Sequence, residues 1–322
     1  MLRVSEKILL VLVVGEFLMG LLVNAFTAVV NCINWIKYKK LSTVDLILLN
    51  LAISRIFLLC LTSLIIFEQL LFSHDLVVGE MILIRILWLF SHFSSVWFAS
   101  CLSIFYFLKI ANFSHSIFLW LKWRISRVVF ILHGGHFLIA LPILSVFFWE
   151  WYVNYQNLFF LGSKRNLSQE DSRSENRLLI FQISFNLMSL LPFALSLISC
   201  FLLVLSLWRH NQQMQLNTTG SRDPSMEAHI QAMKIMFSFL ILFFLYYIGI
   251  FTGQSSQRMK EKSVAALFSL AIMGLYPLGH SLILIMGNSK LRQTILKMLK
   301  KMKGYLKGRT EILPWSCKHT SG

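Results

Sequence analysis

The chain has 322 residues, of which 57% are hydrophobic and only 14% charged, and its mean hydropathy is +0.68. These values exclude an ordinary soluble domain and indicate an integral membrane protein. The formal net charge of +16 would suggest nucleic acid for a soluble chain, but the basic residues cluster between apolar runs and at the C-terminus, so nucleic acid is not an expected partner.

Seven apolar runs follow one another along the chain, and each is long enough to cross a bilayer as a helix. The weak ten-residue alternation of a membrane barrel is absent from the sequence. The first run is too long for a signal peptide, so we interpret it as an uncleaved span. We predict an all-α seven-transmembrane bundle over residues 1–286 and a cytoplasmic basic tail over 287–322. The runs are 8–33, 44–67, 81–107, 127–148, 178–207, 233–251 and 264–286.

The third run carries one stripe of side chains at alternating spacings of four and three, which places them on a single helix face. At 1.5 Å per residue the stripe is roughly 32 Å long, about the thickness of the hydrocarbon core. It could therefore touch a ligand at one membrane surface and a cytoplasmic partner at the other. The stripe consists of Trp88, His92, Ser95, Ala99, Leu102, Tyr106 and Lys109.

The distribution of basic residues predicts the orientation of the bundle, because cytoplasmic segments are enriched in lysine and arginine. With the N-terminus outside, 19 of the 30 basic residues fall in cytoplasmic segments and nine in outer ones. In this orientation, of the sequons at Asn112, Asn166 and Asn217, only Asn166 faces the lumen, so it is the expected glycan site. None of the five cysteines falls in an outer loop, so no disulfide is expected there.

Arg55 lies near the middle of the second run, where an arginine costs about 2.5 to 3.5 kcal/mol on insertion scales. It should therefore have polar partners inside the bundle. We expect them from Asn24 in the first run and from the carbonyls of the Pro277–Ser281 segment in the seventh, so that His280 and Ser281 belong to the expected network. Such a network could be purely structural or part of a switch, and the sequence leaves both interpretations open.

The tail has apolar residues at helical spacing and basic residues between them over 290–307. This pattern predicts an amphipathic helix on the inner leaflet, with membrane lipids as partners. A calmodulin target is a less favoured interpretation of the same pattern.

Motifs of the common enzymes are absent from the sequence, and we predict neither catalytic residues nor a cofactor. The one enzyme-like fragment is His133-Gly-Gly-His136, whose histidines could bind a metal only with further ligands at the same depth. Close helix packing at the two glycines is the favoured interpretation, and we predict no metal site.

Several stretches together resemble the bitter taste receptors, the type 2 taste receptor family of G-protein-coupled receptors. The resemblance implies a receptor for bitter small molecules that activates a gustducin-like heterotrimeric G protein at the plasma membrane. The stretches are LSTVDLILLNLAISR at 41–55, FYFLKIANFS at 105–114, SLWRH at 206–210 with QMQ at 213–215, GSRDPS at 220–225 with EAH at 227–229, and HSLILIMGNSK at 280–290.

The resemblance, the stripe on the third run and a cluster of aromatic and polar residues at one depth of the bundle together indicate positions for the ligand and for the G protein. Trp88 matches an aromatic at the pocket end of the third helix, and His92 stands where relatives often have asparagine. The expected pocket, open to the outside, consists of Trp88, His92, Phe185, Tyr246 and Leu270. The expected G-protein contact and switch consist of Tyr106, Lys109 and His210.

Three other classes of protein compete with this interpretation. A vomeronasal-type pheromone receptor would have the same seven-helix membrane architecture and would bind a different class of ligand. A secondary transporter should show internal repeats and paired acids inside the membrane, whereas Glu16 is the only acid near the middle of a span. A membrane enzyme is the least favoured.

Overall fold

The computed structural model describes residues 3–71, 78–160, 186, 189–209, 212, 224–255 and 261–311. Within these ranges the chain forms nine helices and no strand. They are α1 (Val4–Tyr38), α2 (Thr43–Leu71), α3 (Val78–Ile110), α4 (Ser116–Trp123), α5 (Ile125–Phe160), α6 (Ser189–Arg209), α7 (Pro224–Ser255), α8 (Lys262–Gly287) and α9 (Ser289–Glu311).

Seven of the helices in the described residues are long and apolar enough to cross a membrane, namely α1, α2, α3, α5, α6, α7 and α8. The predicted seven-transmembrane fold is therefore confirmed. Several helices extend past the apolar runs; α1, for example, continues to Tyr38. The next residue, Lys39, has a left-handed backbone with φ of 51°. Such a residue commonly ends a helix, because it turns the last carbonyls away from the axis.

Helix α3 lies at the centre of the bundle, and every residue from 91 to 103 is buried. Its serines satisfy their hydroxyls locally, as Ser91 and Ser94 donate to the carbonyls of Leu87 and Phe90. The predicted stripe forms only part of this buried surface, because neighbouring helices cover α3 on its other sides as well.

The loop between α3 and α5 contains a helix that the sequence did not predict, the eight-residue α4. The His115 side chain accepts a hydrogen bond from the amide of Ile117 at its start. Phe118 is buried against Phe107 and Phe113, with ring centres 5.4 and 5.3 Å away. One face of α4 is therefore fixed to the end of α3.

Helices α7 and α8 approach closely at two glycines of α7. A Cβ atom at Gly249 would lie 2.8 Å from Met273 Cγ and 3.0 Å from the Ser269 carbonyl oxygen. At Gly253 it would lie 2.9 Å from Ser269 Oγ. Only hydrogen fits at Gly249, where backbone atoms lie close, whereas at Gly253 a Cβ atom would require the Ser269 hydroxyl to move. Small residues bring membrane helices into contact in this way.

Helix α9 begins directly after a break at Asn288, which confirms the predicted C-terminal helix. Leu291 is fully buried, and Lys290 Nζ lies 2.8 Å from Asp45 Oδ2 at the start of α2. Further along, its apolar side chains are exposed beside lysines and an arginine. These are Leu296, Met298, Leu299 and Met302. Its first turn is thus attached to the bundle, and its amphipathic remainder is not covered by the described chain.

Candidate functional site

Three aromatic rings stack on one another between α3 and α7. The Trp88 and His92 ring centres are 5.7 Å apart with an interplanar angle of 12°. The His92 and Tyr246 ring centres are 5.1 Å apart with an angle of 9°. The spacing of four on α3 places the first two rings one above the other, and Tyr246 extends the stack across to α7.

Hydrogen bonds to two further helices hold this stack in place. The Trp88 indole donates to Thr62 Oγ1 of α2 at 2.9 Å. His92 Nε2 and Ser189 Oγ of α6 form a hydrogen bond at 3.2 Å. The stack therefore connects α2, α3, α6 and α7 at one level of the bundle.

Tyr246 is a deeply buried polar residue of the stack. Its side chain is only 2% exposed, and its hydroxyl has no hydrogen-bond partner among the described residues. Buried hydroxyls in proteins are nearly always hydrogen-bonded, so an unpaired one in a bundle interior is a natural contact for a polar ligand atom.

The other two predicted pocket residues have different outcomes. Leu270 lies on α8, partly buried, six residues before Tyr276, and does not belong to the stack. Phe185 lies outside the described residues.

The four residues of the predicted polar network lie together between α1, α2 and α8. Arg55 donates from Nη1 to Ser281 Oγ and from Nη2 to His280 Nδ1, both at 2.6 Å. Ser281 Oγ in turn donates to Asn24 Oδ1 at 2.8 Å. The partners are side chains, whereas the sequence suggested carbonyls of the 277–281 segment.

Tyr276 connects the ring stack with this network, and the sequence analysis missed it. Its buried ring is 5.4 Å from that of Tyr246, and the Arg55 guanidinium carbon lies 5.1 Å from its centre. Its hydroxyl lies 3.3 Å from Ser95 Oγ. The available signal was its position next to Pro277, one turn before His280.

At the other end of α3, Tyr106 is partly buried and packs edge-to-face on Phe105, with ring centres 5.9 Å apart. Lys109 is exposed, and its Nζ lies 5.5 Å from the centre of the Phe105 ring. The third residue assigned to this end, His210, lies outside the described residues.

The His133-Gly-Gly-His136 fragment lies on α5 against aromatic residues of α3. His136 Nε2 is 2.9 Å from Ser94 Oγ, and its ring stacks on Phe93. The expected close packing at the glycines is wrong, because a Cβ at Gly134 would meet nothing within 4 Å and one at Gly135 only touches Trp97. Among the described residues, no three metal-binding side chains form a cluster.

Known proteins match this chain over nearly its whole length. A family model described as "Taste receptor protein (TAS2R)" matches residues 1–303. Taste receptor type 2 member 7 of Pongo pygmaeus is 45% identical over 310 residues, which are 94% of this chain and 96% of the relative. Taste receptor type 2 member 9 of Macaca mulatta is 44% identical over 311 residues, 96% of this chain and 98% of the relative. The chain therefore belongs to the type 2 taste receptor family, the bitter taste receptors, which are G-protein-coupled receptors.

Proposed function

We propose that this receptor detects bitter small molecules in a pocket open to the outside and activates a gustducin-like heterotrimeric G protein. The observation that carries the proposal is the stack of Trp88, His92 and Tyr246 with the buried Tyr246 hydroxyl beside it. Flat ring faces suit aromatic and apolar ligands, while the imidazole and the phenol supply hydrogen bonds that fix orientation. Phe185 and Leu270 complete the proposed pocket.

Ligand-dependent nucleotide exchange tests this function directly. Purified receptor in vesicles should accelerate exchange on a gustducin-like G protein only when a bitter agonist is added. Ligand uptake into the vesicles without any exchange would instead indicate a transporter. Exchange in response to pheromone-like compounds alone would favour the vomeronasal-type alternative.

Trp88→Ala should lower agonist potency about tenfold or more, because it removes the outer ring of the stack and frees His92 and Tyr246 to move. A tenfold loss corresponds to about 1.4 kcal/mol of binding free energy. The measurement is a concentration–response curve for several agonists at matched surface expression.

Trp88→Phe is the matched control, since it keeps an aromatic ring but loses the indole hydrogen bond to Thr62. We expect a smaller loss from it. Unchanged potency for Trp88→Ala across all agonists would remove Trp88 from the pocket.

For the cytoplasmic end, we assign Tyr106, Lys109 and His210 to the G-protein contact and its switch. A lysine that only snorkels to headgroups should tolerate glutamine, whereas one that contacts the G protein should not. Lys109→Gln should therefore reduce the maximal exchange rate severalfold while agonist binding stays the same. Lys109→Arg keeps the charge and is the control. Full exchange in both Lys109→Gln and His210→Ala would leave only the membrane-anchor interpretation.

We further propose that the N-terminus is extracellular, that the C-terminus is cytoplasmic at the plasma membrane, and that Asn166 carries a glycan. Treating the expressed protein with an endoglycosidase should increase its gel mobility. Without treatment, Asn166→Gln should already migrate as fast as the treated unchanged protein. A shift that disappears instead in Asn112→Gln would contradict both the site and the orientation.

Helix α9 fits the inner leaflet in the same orientation. Its exposed Leu296, Met298, Leu299 and Met302 suit the acyl boundary, and its lysines suit anionic headgroups. Membrane lipids are therefore proposed partners of the tail.

A further inference from the structure

Helix α4 has two opposite faces that differ in what they contact. Phe118 is buried against the end of α3, whereas Trp120 and Trp123 are 55% and 88% exposed. At 100° per residue, the two tryptophans lie on the side opposite Phe118. A short helix thus presents two large aromatic side chains away from the bundle.

Positive charge accompanies these tryptophans. The Arg124 guanidinium carbon lies 4.8 Å from the centre of the Trp120 ring. No aspartate or glutamate occurs between Lys109 and Arg127 in the sequence. The exposed face is therefore complementary to a negatively charged partner that also accepts aromatic rings.

The position of α4 along the chain favours a lipid surface as that partner. Trp123 lies two residues before Ile125, the first residue of a spanning segment. Trp35 near the end of α1 and Trp208 near the end of α6 are at the same end of the bundle, and they are 55% and 59% exposed. Tryptophan concentrates where hydrocarbon meets headgroups.

We propose that α4 is an interfacial membrane anchor, with Trp120 and Trp123 in the headgroup region and Arg124 on the phosphates of anionic phospholipids. The anchor also holds the end of α3, because Lys122 Nζ donates to the Ala111 carbonyl at 2.7 Å beside the Phe118 contacts. In the proposed orientation these headgroups belong to the cytoplasmic leaflet, and only this assignment rests on the proposed function.

Site-directed spin labelling tests the anchor without any ligand. The label is attached at Trp123→Cys in receptor whose Cys32, Cys60 and Cys317 are replaced by serine, in vesicles of phosphatidylcholine with phosphatidylserine. Its relaxation should respond more strongly to oxygen, which concentrates in lipid, than to a water-soluble nickel chelate. A label at Ser114→Cys, in the exposed loop before α4, is the matched control and should respond mainly to nickel.

Equal nickel accessibility at Trp123→Cys and Ser114→Cys would overturn the anchor. So would protection of the Trp123→Cys label that appears only when nucleotide-free G protein is added, because the face would then belong to that protein. Arg124→Gln, or vesicles without phosphatidylserine, should shift the label toward water. An unchanged label in both would overturn the role of the anionic lipid. Since no agonist or signalling step enters the readout, its failure is distinct from a failure of the proposed function.

Discussion

Arg55→Ala should destabilise the receptor by about 3 to 5 kcal/mol and abolish most of its surface expression. The change empties a fully buried site and leaves His280 Nδ1 without its donor, and an unsatisfied buried polar group costs about 1 to 3 kcal/mol in addition to the lost packing. Helix α2 then loses its hydrogen bonds to Ser281 and His280 of α8, while the bond from Ser281 to Asn24 of α1 remains. The measurement is the midpoint of thermal unfolding in detergent, together with the surface fraction in cells.

Two further variants serve as a control and as an intermediate case for this prediction. Arg85→Ala removes an exposed arginine from α3 and should change the midpoint little, so it controls for the loss of a positive charge. Arg55→Lys keeps the charge but replaces a planar fork by a single ammonium, which cannot reproduce both hydrogen bonds with the same geometry. It should lie between Arg55→Ala and the unchanged receptor. Normal unfolding of Arg55→Ala would show that the network contributes nothing to stability.

Tyr276→Ala should reduce the maximal G-protein response and the potency about tenfold, with a smaller change in direct agonist binding. Its ring is the contact between Tyr246 in the stack and Arg55 in the network, so its loss uncouples the proposed pocket from the helix contacts below it. Coupling energies between sites are typically about 1 to 3 kcal/mol, which is sufficient for this effect. Agonist binding and nucleotide exchange measured on the same preparation separate the two contributions.

Tyr276→Phe is the matched variant, because it retains the ring and loses only the hydroxyl with its contacts to Ser95 Oγ and Arg55. It should keep most of the response, whereas Tyr38→Ala, an exposed tyrosine at the end of α1, should keep all of it. A double-mutant cycle of Tyr246→Ala and Tyr276→Ala, each of which removes one ring of the contact, should show non-additive losses. Additive losses, or a full response in Tyr276→Ala, would contradict the coupling.

The fold could be predicted from the sequence because each span carries its own signal in hydropathy and length. The polar network around Arg55 could be predicted for a related reason. An arginine in the middle of a membrane needs polar partners, and few polar residues are available at that depth. The spacing of four also placed Trp88 and His92 on one face. Their contact with Tyr246 joins two helices, and no periodicity within one helix contains that information.

The features that were missed share a physical cause. Tyr276 lies in an apolar run and therefore resembles any packed core aromatic until Arg55 is seen beneath its ring. The stripe predicted one functional face for α3, but the hydroxyls of Ser91 and Ser94 bond to the preceding turn and let every residue from 91 to 103 be buried. Helix α4 has only eight residues, too few for hydrophobic periodicity to distinguish it from a loop.

The close helix contacts at Gly249 and Gly253 bear on how one receptor accommodates ligands of different shape. They lie one and two turns beyond Tyr246, so α7 and α8 meet there almost backbone to backbone. Sliding either helix would bring Met273 or the Ser269 carbonyl into the other. This side of the candidate pocket is accordingly a stiff wall. Adaptation to a bulky or angular molecule falls to the opposite wall, where α3 and α6 meet beside the stack through the hydrogen bond between the His92 imidazole and the Ser189 hydroxyl.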